Sequence, residues 1–195
     1  MILLDYSQIA LSNIIVQKLN DENMIRHMIL NSIRMYNKKY RNEYGQMVIC
    51  ADGMNTWRKD YFPLYKAHRK KNRSESDQDW PEIFRILNLV REEIRENLPY
   101  KVIHLEGCEA DDVIGTLAMQ TQEFGQHEPV MIISSDKDFI QLHKYTNVKQ
   151  FSPIQKKMVS DPNPRTYCFE HICKGDKGDG IPNILSPDNA IMDEI

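Results

Sequence analysis

Apolar residues gather in four short runs, at positions 2–4, 47–51, 101–105 and 130–133, and the stretches between them carry apolar residues every three or four positions. Short unbroken runs read as strands buried on both faces, and the longer spacing reads as amphipathic helix. Strands that alternate with helices are the pattern of a mainly parallel central sheet flanked by helices, an α/β fold.

The first long helix is predicted to begin near Asp21, because Ile25, Ile29, Ile33, Tyr36 and Tyr40 fall on one face and the pattern stops before Gly45. A second begins near Asp79, where Asp79 and Glu82 have capping-box spacing and Pro81 sits in the first turn. Ile83, Ile86, Leu87, Val90, Ile94 and Leu98 form its buried stripe, and Pro99 closes it. A third helix is predicted over 109–124, with Val113, Ile114, Leu117 and Ala118 facing inward and Gly125 at its end. Beyond Ile140, segments at 148–151 and 157–159 are expected to form a hairpin or an edge pair, followed by a helix over 166–173.

A chain of 195 residues with 41% hydrophobic content is long enough to build one α/β domain around a substantial core. The net charge of −3 conceals a cationic run over 57–73 and acidic clusters over 106–112 and 136–138, so the overall balance does not argue against nucleic acid. Cys50, Cys108, Cys168 and Cys173 form no secreted disulfide framework, and Asp5 follows Met1 too soon for a signal peptide. The expectation is an intracellular, cytoplasmic protein with reduced thiols. No apolar run approaches the roughly 20 residues that span a bilayer, and no repeat or low-complexity tract is present.

Acids stand at the ends of all four predicted strands. Asp5 follows the first and Asp52 the second, Glu109 and Asp111 open the helix after the third, and Asp136 and Asp138 follow the fourth. In an open α/β sheet, ligands bind beyond the carboxyl ends of the strands. For any one acid, a helix cap or a first-turn acid complementing the helix dipole is the simpler reading by about two to one. Four successive strand ends weaken that reading. Carboxylates brought together repel one another, and a divalent cation is the natural compensation, with hard oxygen ligands suiting magnesium or manganese. If enough acids gather for two ions about 4 Å apart, the arrangement suits phosphodiester hydrolysis without a covalent nucleophile. No phosphate-binding loop, dinucleotide fingerprint or serine-hydrolase elbow occurs, and the six histidines are scattered.

The segment 58–73 mixes cations with aromatic rings, which can hold phosphates and stack bases, although a solvated helix face is the commoner origin of such a run. The segment 174–184 contains glycines at 175, 178 and 180, which permit tight turns and free backbone amides, and it reads equally well as a surface loop. Cys168, His171 and Cys173 lack a zinc-pair spacing and a fourth ligand, so packing near a short helix is the expectation for them.

Taken in order, Leu4-Asp5-Tyr6-Ser7-Gln8 and its continuation to Ser12, Tyr65-Lys66-Ala67-His68-Arg69, Glu109-Ala110-Asp111-Asp112, Ser134-Ser135-Asp136-Lys137-Asp138-Phe139 and Gly175-Asp176-Lys177-Gly178-Asp179 resemble the 5′-nuclease (flap endonuclease) family over nearly the whole chain. The resemblance implies a PIN-like 5′-nuclease fold with a helical arch at about 53–80 inside a catalytic domain of residues 1–165. It further implies that 166–195 begins a C-terminal helix-turn-helix subdomain; phage members of the family continue past this point, so the sequence is expected to be truncated at Ile195. By the same resemblance, Asp5, Asp52, Glu109, Asp111 and Asp136 form a first metal site, Asp138, Asp176 and Asp179 a second, and Asp112 contributes to metal binding from nearby. Lys66, Asp111 and Asp136 carry the chemistry. Lys66 and Arg69 meet the scissile phosphate, Tyr65 stacks on a base, and Arg58, Lys70, Lys71, Arg73, Lys174, Lys177, Gly178 and Gly180 hold nucleic acid.

The implied activity is metal-dependent 5′ to 3′ exonuclease and flap endonuclease cleavage of RNA primers and 5′ DNA flaps in replication. It uses two Mg2+, with Mn2+ substituting and K+ at the helix-turn-helix loop. The implied partners are flapped DNA and RNA–DNA duplex, with a single-stranded DNA-binding protein and a sliding clamp as recruiters of a monomer. Two other functions stay open at this point: a nucleic-acid-binding module without catalysis, and a PIN-type ribonuclease acting on single strands.

Overall fold

The computed structural model describes residues 1–17, 21–125 and 127–193. Six strands form one sheet in the order β3-β2-β1-β4-β5-β6. The strands are β1 (Ile2–Asp5), β2 (Met47–Ala51), β3 (Lys101–His104), β4 (Val130–Ile133), β5 (Val148–Ser152) and β6 (Lys157–Val159). The first five run parallel, and β6 pairs antiparallel with β5, so the segments expected as a hairpin or edge pair are the sheet's edge.

Successive residues of a strand face opposite sides, and the core divides accordingly. Ile2 and Leu4 of β1 join one cluster with Ile25, Ile29 and Ile33 of α2 (Glu22–Tyr44) and Ile86, Val90 and Ile94 of α5 (Trp80–Asn97). Leu3 points the other way, into a cluster with Val113 and Ile114 of α6 (Ala110–Gln120) and with Phe139 and Leu142 of a 3-10 helix at Lys137–Lys144. Asp21 and Asp79 cap α2 and α5, each accepting from a backbone N–H three residues on, while the Glu82 carboxylate of the expected capping box pairs with Arg85.

Several elements depart from the sequence-based expectation, and one is β3: expected over 101–105 and buried on both faces, it ends at His104, lies at the other edge of the sheet and has no buried residue. A helix, α1 (Tyr6–Gln17), follows β1 directly; its apolar residues are too evenly distributed to mark a face, although Ile9, Ala10 and Ile14 are buried. Helix α6 stops at Gln120 rather than 124, and a short 3-10 turn at Glu123–Gly125 follows. Leu98 is not part of the α5 stripe: it lies past the last helical residue and is exposed. The helix predicted over 166–173 spans Pro164–Lys174 as α7. No helix among the described residues is long and apolar enough to cross a membrane.

The strand order places the site. The chain builds β1, β2 and β3 outward in one direction and then returns to set β4 on the other side of β1. The direction of winding therefore reverses between β1 and β4, and a crevice opens beyond their carboxyl ends. Asp5 closes β1 on one side of that crevice, and Ser134, Ser135 and Asp136 follow β4 on the other.

Candidate metal centre

Four carboxylates face the crevice and feel one another's charge, although no three of them bring oxygens within 4.8 Å of one another. Asp5 is 7% exposed, and its oxygens accept from the Gln8 backbone N–H at 3.1 Å and the Ser134 hydroxyl at 3.0 Å. Asp52 follows β2 and accepts from the Ala110 backbone N–H at 2.8 Å, at the N-terminus of α6. Asp111 lies in the first turn of that helix, and Asp136 caps the 3-10 helix by accepting from the Asp138 N–H at 2.9 Å.

Electrostatics shows how closely the four are coupled. Burial pushes Asp5 up to about 7, against the lowering pull of its two hydrogen bonds and with the charges of Asp52 and Asp136 adding to the rise. Burial likewise pushes Asp111 up to about 8, helped by Asp5, Asp136 and Asp52 and opposed by Lys66. Such a centre resists full ionisation at neutral pH unless a cation joins it. Its donors are all hard oxygens, a set that fits a divalent metal ion.

The loops that carry these acids interlock. The Gly53 N–H donates to the Cys108 carbonyl at 2.7 Å, and the Gly107 N–H donates to the Met54 carbonyl at 2.9 Å. A side chain at position 53 would place its Cβ 1.9 Å from the Leu105 carbonyl oxygen. Gly53 was not among the expected site residues; its position directly after a strand-end acid was the available signal.

A second group lies beside the first. Asp138 of the 3-10 helix, His171 in the last turn of α7 and Asp176 just past that helix offer ligand atoms that all fall within 4.8 Å of one another. Burial and the charge of Asp136 raise the Asp138 carboxyl above its ordinary range. Asp176 is held by a turn that only glycine permits: Gly175 has φ 72°, and a Cβ there would lie 2.4 Å from the Ile181 and Pro182 carbonyl oxygens. The Asp179 N–H donates back to Asp176 at 3.1 Å. His171, assigned from the sequence to packing, instead turns its Nε2 to the acids, 3.1 Å from Asp138 and 3.3 Å from Asp176. Asp176 and Asp179 lie outside the strand ends and entered only through family resemblance.

Glu109, Asp112 and Asp179 have cationic partners. Glu109 and Asp112 form a capping box on α6, and the Asp112 carboxylate also takes Arg58 at 2.9 Å and the Trp57 indole N–H at 3.2 Å. The Glu109 carboxylate meets Lys66 Nζ at 2.9 Å and Arg58 at 3.2 Å. Asp179 is bound by Arg69 at 2.7 Å. The Tyr65 hydroxyl stands 2.8 Å from Glu109 and 3.0 Å from Asp179, donating to one of them at a time.

The segment expected as an arch folds as two short helices, α3 (Arg58–Tyr61) and α4 (His68–Ser74), docked on the acids and on the glycine loop. Between them Lys66 adopts φ 55°, a left-handed conformation that costs a side-chain-bearing residue about 1–2 kcal/mol. Its N–H donates to the Asp179 carbonyl at 2.8 Å, which anchors that conformation. Gly180 packs against His68 and Leu64, where a Cβ would lie 3.1 Å and 3.2 Å from their nearest atoms.

The other expected nucleic-acid residues are dispersed. Tyr65, expected to stack on a base, is buried, with Lys66 over its ring at 4.7 Å. Arg73 lies over the Trp80 and Phe84 rings, and Lys174 pairs with Glu170. Lys70 and Lys71 are exposed on α4, and Lys177 and Gly178 are exposed on the glycine loop. Between α3, α6 and the C-terminal loop opens a cavity of about 770 Å³, whose walls include Trp57, Tyr61, Met119, Ile184, Asp111 and Asp179.

A reversing parallel sheet with clustered carboxylates at the reversal, faced by a cationic segment, defines a domain of the PIN-like nuclease type. The sequence profile of the 5′-3′ exonuclease N-terminal resolvase-like domain matches residues 5–167, and the chain belongs to that family. It is 40% identical over 191 residues to ribonuclease H of Enterobacteria phage T4, covering 93% of this chain and 62% of that protein. It is 36% identical over 146 residues to DNA polymerase I of Rhizobium leguminosarum, covering 70% of this chain and 13% of that one. This chain thus spans less than two thirds of either relative. The fold is similar to that of the phage T5 D15 protein crystallised with metal ions, at TM-score 0.75 and 17% identity, covering 100% of this chain and 73% of that one. The phage T5 D15 flap endonuclease in a pseudo-enzyme–product complex with DNA and metal ions superimposes at TM-score 0.74 with 18% identity, covering 95% and 70%.

Proposed function

We propose that this chain is a magnesium-dependent 5′-nuclease that hydrolyses phosphodiesters at 5′ flaps and RNA primers. The observation that carries the reading is the convergence of Asp5, Asp52, Asp111 and Asp136 at the β1–β4 reversal, with Lys66 within electrostatic reach of Asp111. Asp5, Asp52, Asp111 and Asp136, with Glu109 adjoining, would hold one ion, and Asp138, Asp176 and Asp179 a second. When bound, the pair would supply an activated water and stabilise the charge developing on the attacking and leaving oxygens.

The chain's own residues then act on the substrate. Lys66 and Arg69 are neutralised by Glu109 and Asp179, and an arriving phosphate competes for the same cations. Transfer of Lys66 from Glu109 to the scissile phosphate stabilises its growing negative charge. Lys70, Lys71 and Lys177 supply exposed charge for the flanking backbone, and the aromatic wall at Trp57 and Tyr61 suits an unpaired base.

The test is cleavage of a 5′-flap duplex with and without Mg2+. The expected result is metal-dependent release of the flap, loss of cleavage by orders of magnitude in Asp136→Asn, and lost cleavage with retained binding in Lys66→Ala. Unchanged cleavage by Asp136→Asn would overturn the metal assignment. Salt-dependent binding without turnover in Mg2+ or Mn2+ would reassign the chain as a binding module, and a preference for unstructured RNA would reassign it as a single-strand ribonuclease.

A further inference from the structure

We propose that His171 is a direct metal ligand of the second site, and that its imidazole gives this site a preference for Mn2+ over Mg2+. The inference rests on the reading of Asp138 and Asp176 as metal-binding residues, and adds a nitrogen donor that the strand-end acids do not include.

Three separate segments deliver the three donors: the 3-10 helix, the last turn of α7 and the loop beyond it. Nε2 of His171 lies 3.1 Å from Asp138 Oδ1 and 3.3 Å from Asp176 Oδ2. Neighbouring ligands on an octahedral ion with bonds of about 2.1–2.3 Å are separated by √2 times the bond length, roughly 3.0–3.3 Å. The observed separations therefore match two edges of one coordination shell. The ring is also oriented independently of the acids, because Tyr167 stacks on it with centroids 5.9 Å apart and planes at 15°. An open cavity of about 470 Å³, lined by Ser135, Asp136, Lys137, Asp138, His171 and Asp176 among others, gives a hydrated ion access.

A protonated His171 pairing with two acids near the C-terminus of α7 would account for the same distances. The two arrangements differ in chemistry. Imidazole is a softer donor than carboxylate or water, and Mg2+ dehydrates reluctantly and favours an all-oxygen shell. A nitrogen ligand therefore strengthens Mn2+ binding much more than Mg2+ binding, whereas an ion pair outside the shell discriminates little between the two ions.

The experiment uses the full 195-residue chain. Mn2+ and Mg2+ are titrated calorimetrically into the unaltered protein, His171→Gln and Asp176→Asn, and pulsed electron paramagnetic resonance of the Mn2+ forms reads nitrogen coupling. The expected result is two Mn2+ sites, one of them with imidazole nitrogen coupling. His171→Gln should abolish that coupling and weaken the site for Mn2+ about tenfold or more, as loss of even an indirect supporting group does. Its effect on Mg2+ should be much smaller. Two filled Mn2+ sites without nitrogen coupling would overturn the role of His171 and leave the acids' role standing. A second site that fails to fill, with Asp176→Asn behaving as the unaltered chain, would overturn both. Unchanged thermal unfolding of each variant excludes misfolding as the cause.

Discussion

Asp5 and Asp111 are the residues in which folding and chemistry conflict most directly. Each is a carboxyl buried beside other carboxyls, pushed from 3.8 up to about 7 and about 8 respectively. A carboxyl with a raised folded-state pKa binds its proton more tightly folded than unfolded. The folded state is thus favoured while the proton is held, and stability falls as pH rises from the unfolded value through the folded one. In the presence of a chelator, the melting temperature should therefore decline between about pH 4 and about pH 8, and a divalent ion should restore it most at the alkaline end. A melting profile that is flat across this range, with and without metal, would contradict the coupling. At the same scale, Gly53→Ala forces a Cβ to within 1.9 Å of a backbone carbonyl oxygen. The expected cost is about 3 kcal/mol, at the upper end of overpacking penalties, measured by urea unfolding and accompanied by weaker metal binding.

The helices that position the acids owe their place to the sheet. Ile29 of α2 and Val90 of α5 are fully buried against the same face of the sheet as Ile2 and Leu4. Ile29→Ala should destabilise the fold by about 2–5 kcal/mol through lost burial and the cavity left behind, with metal stoichiometry unchanged in the fraction that stays folded. The short elements behave differently. Helices α3 and α4 contribute only His68 as a buried helical residue, and they are fastened by ion pairs and hydrogen bonds to Glu109, Asp112 and Asp179. A metal ion held by Asp179, as proposed above, would compete with Arg69 and Tyr65. Hydrogen exchange in 58–74 is therefore expected to accelerate on metal addition, while exchange in α2 stays slow.

Over the whole molecule, a net charge of −3 has to be reconciled with the polyanionic substrate proposed above. Segregation reconciles the two, with acids converging on the crevice and exposed cations on α4 and the glycine loop. Binding to flap DNA should weaken steeply with salt, by a slope of about 0.9 in log affinity for each phosphate neutralised. A slope near zero would contradict binding through these exposed cations.

Strand positions, the capped starts of α2 and α5 and the acids at strand ends were legible in the sequence, because burial, capping and strand-end position leave local patterns. Helix α1 was not, since a segment apolar on nearly every side has no periodicity to read. The site divides in the same way. Asp5, Asp52, Asp111 and Asp136 announce themselves by following strands. The partnership of Asp138, His171 and Asp176 depends on α7 packing beside the 3-10 helix, and the pairing of Lys66 with Glu109 joins residues 43 positions apart. Local chemistry thus determined which elements form and which acids stand at strand ends. Only the tertiary structure decided which charges meet, because electrostatic coupling depends on distance through space and the sequence records distance along the chain.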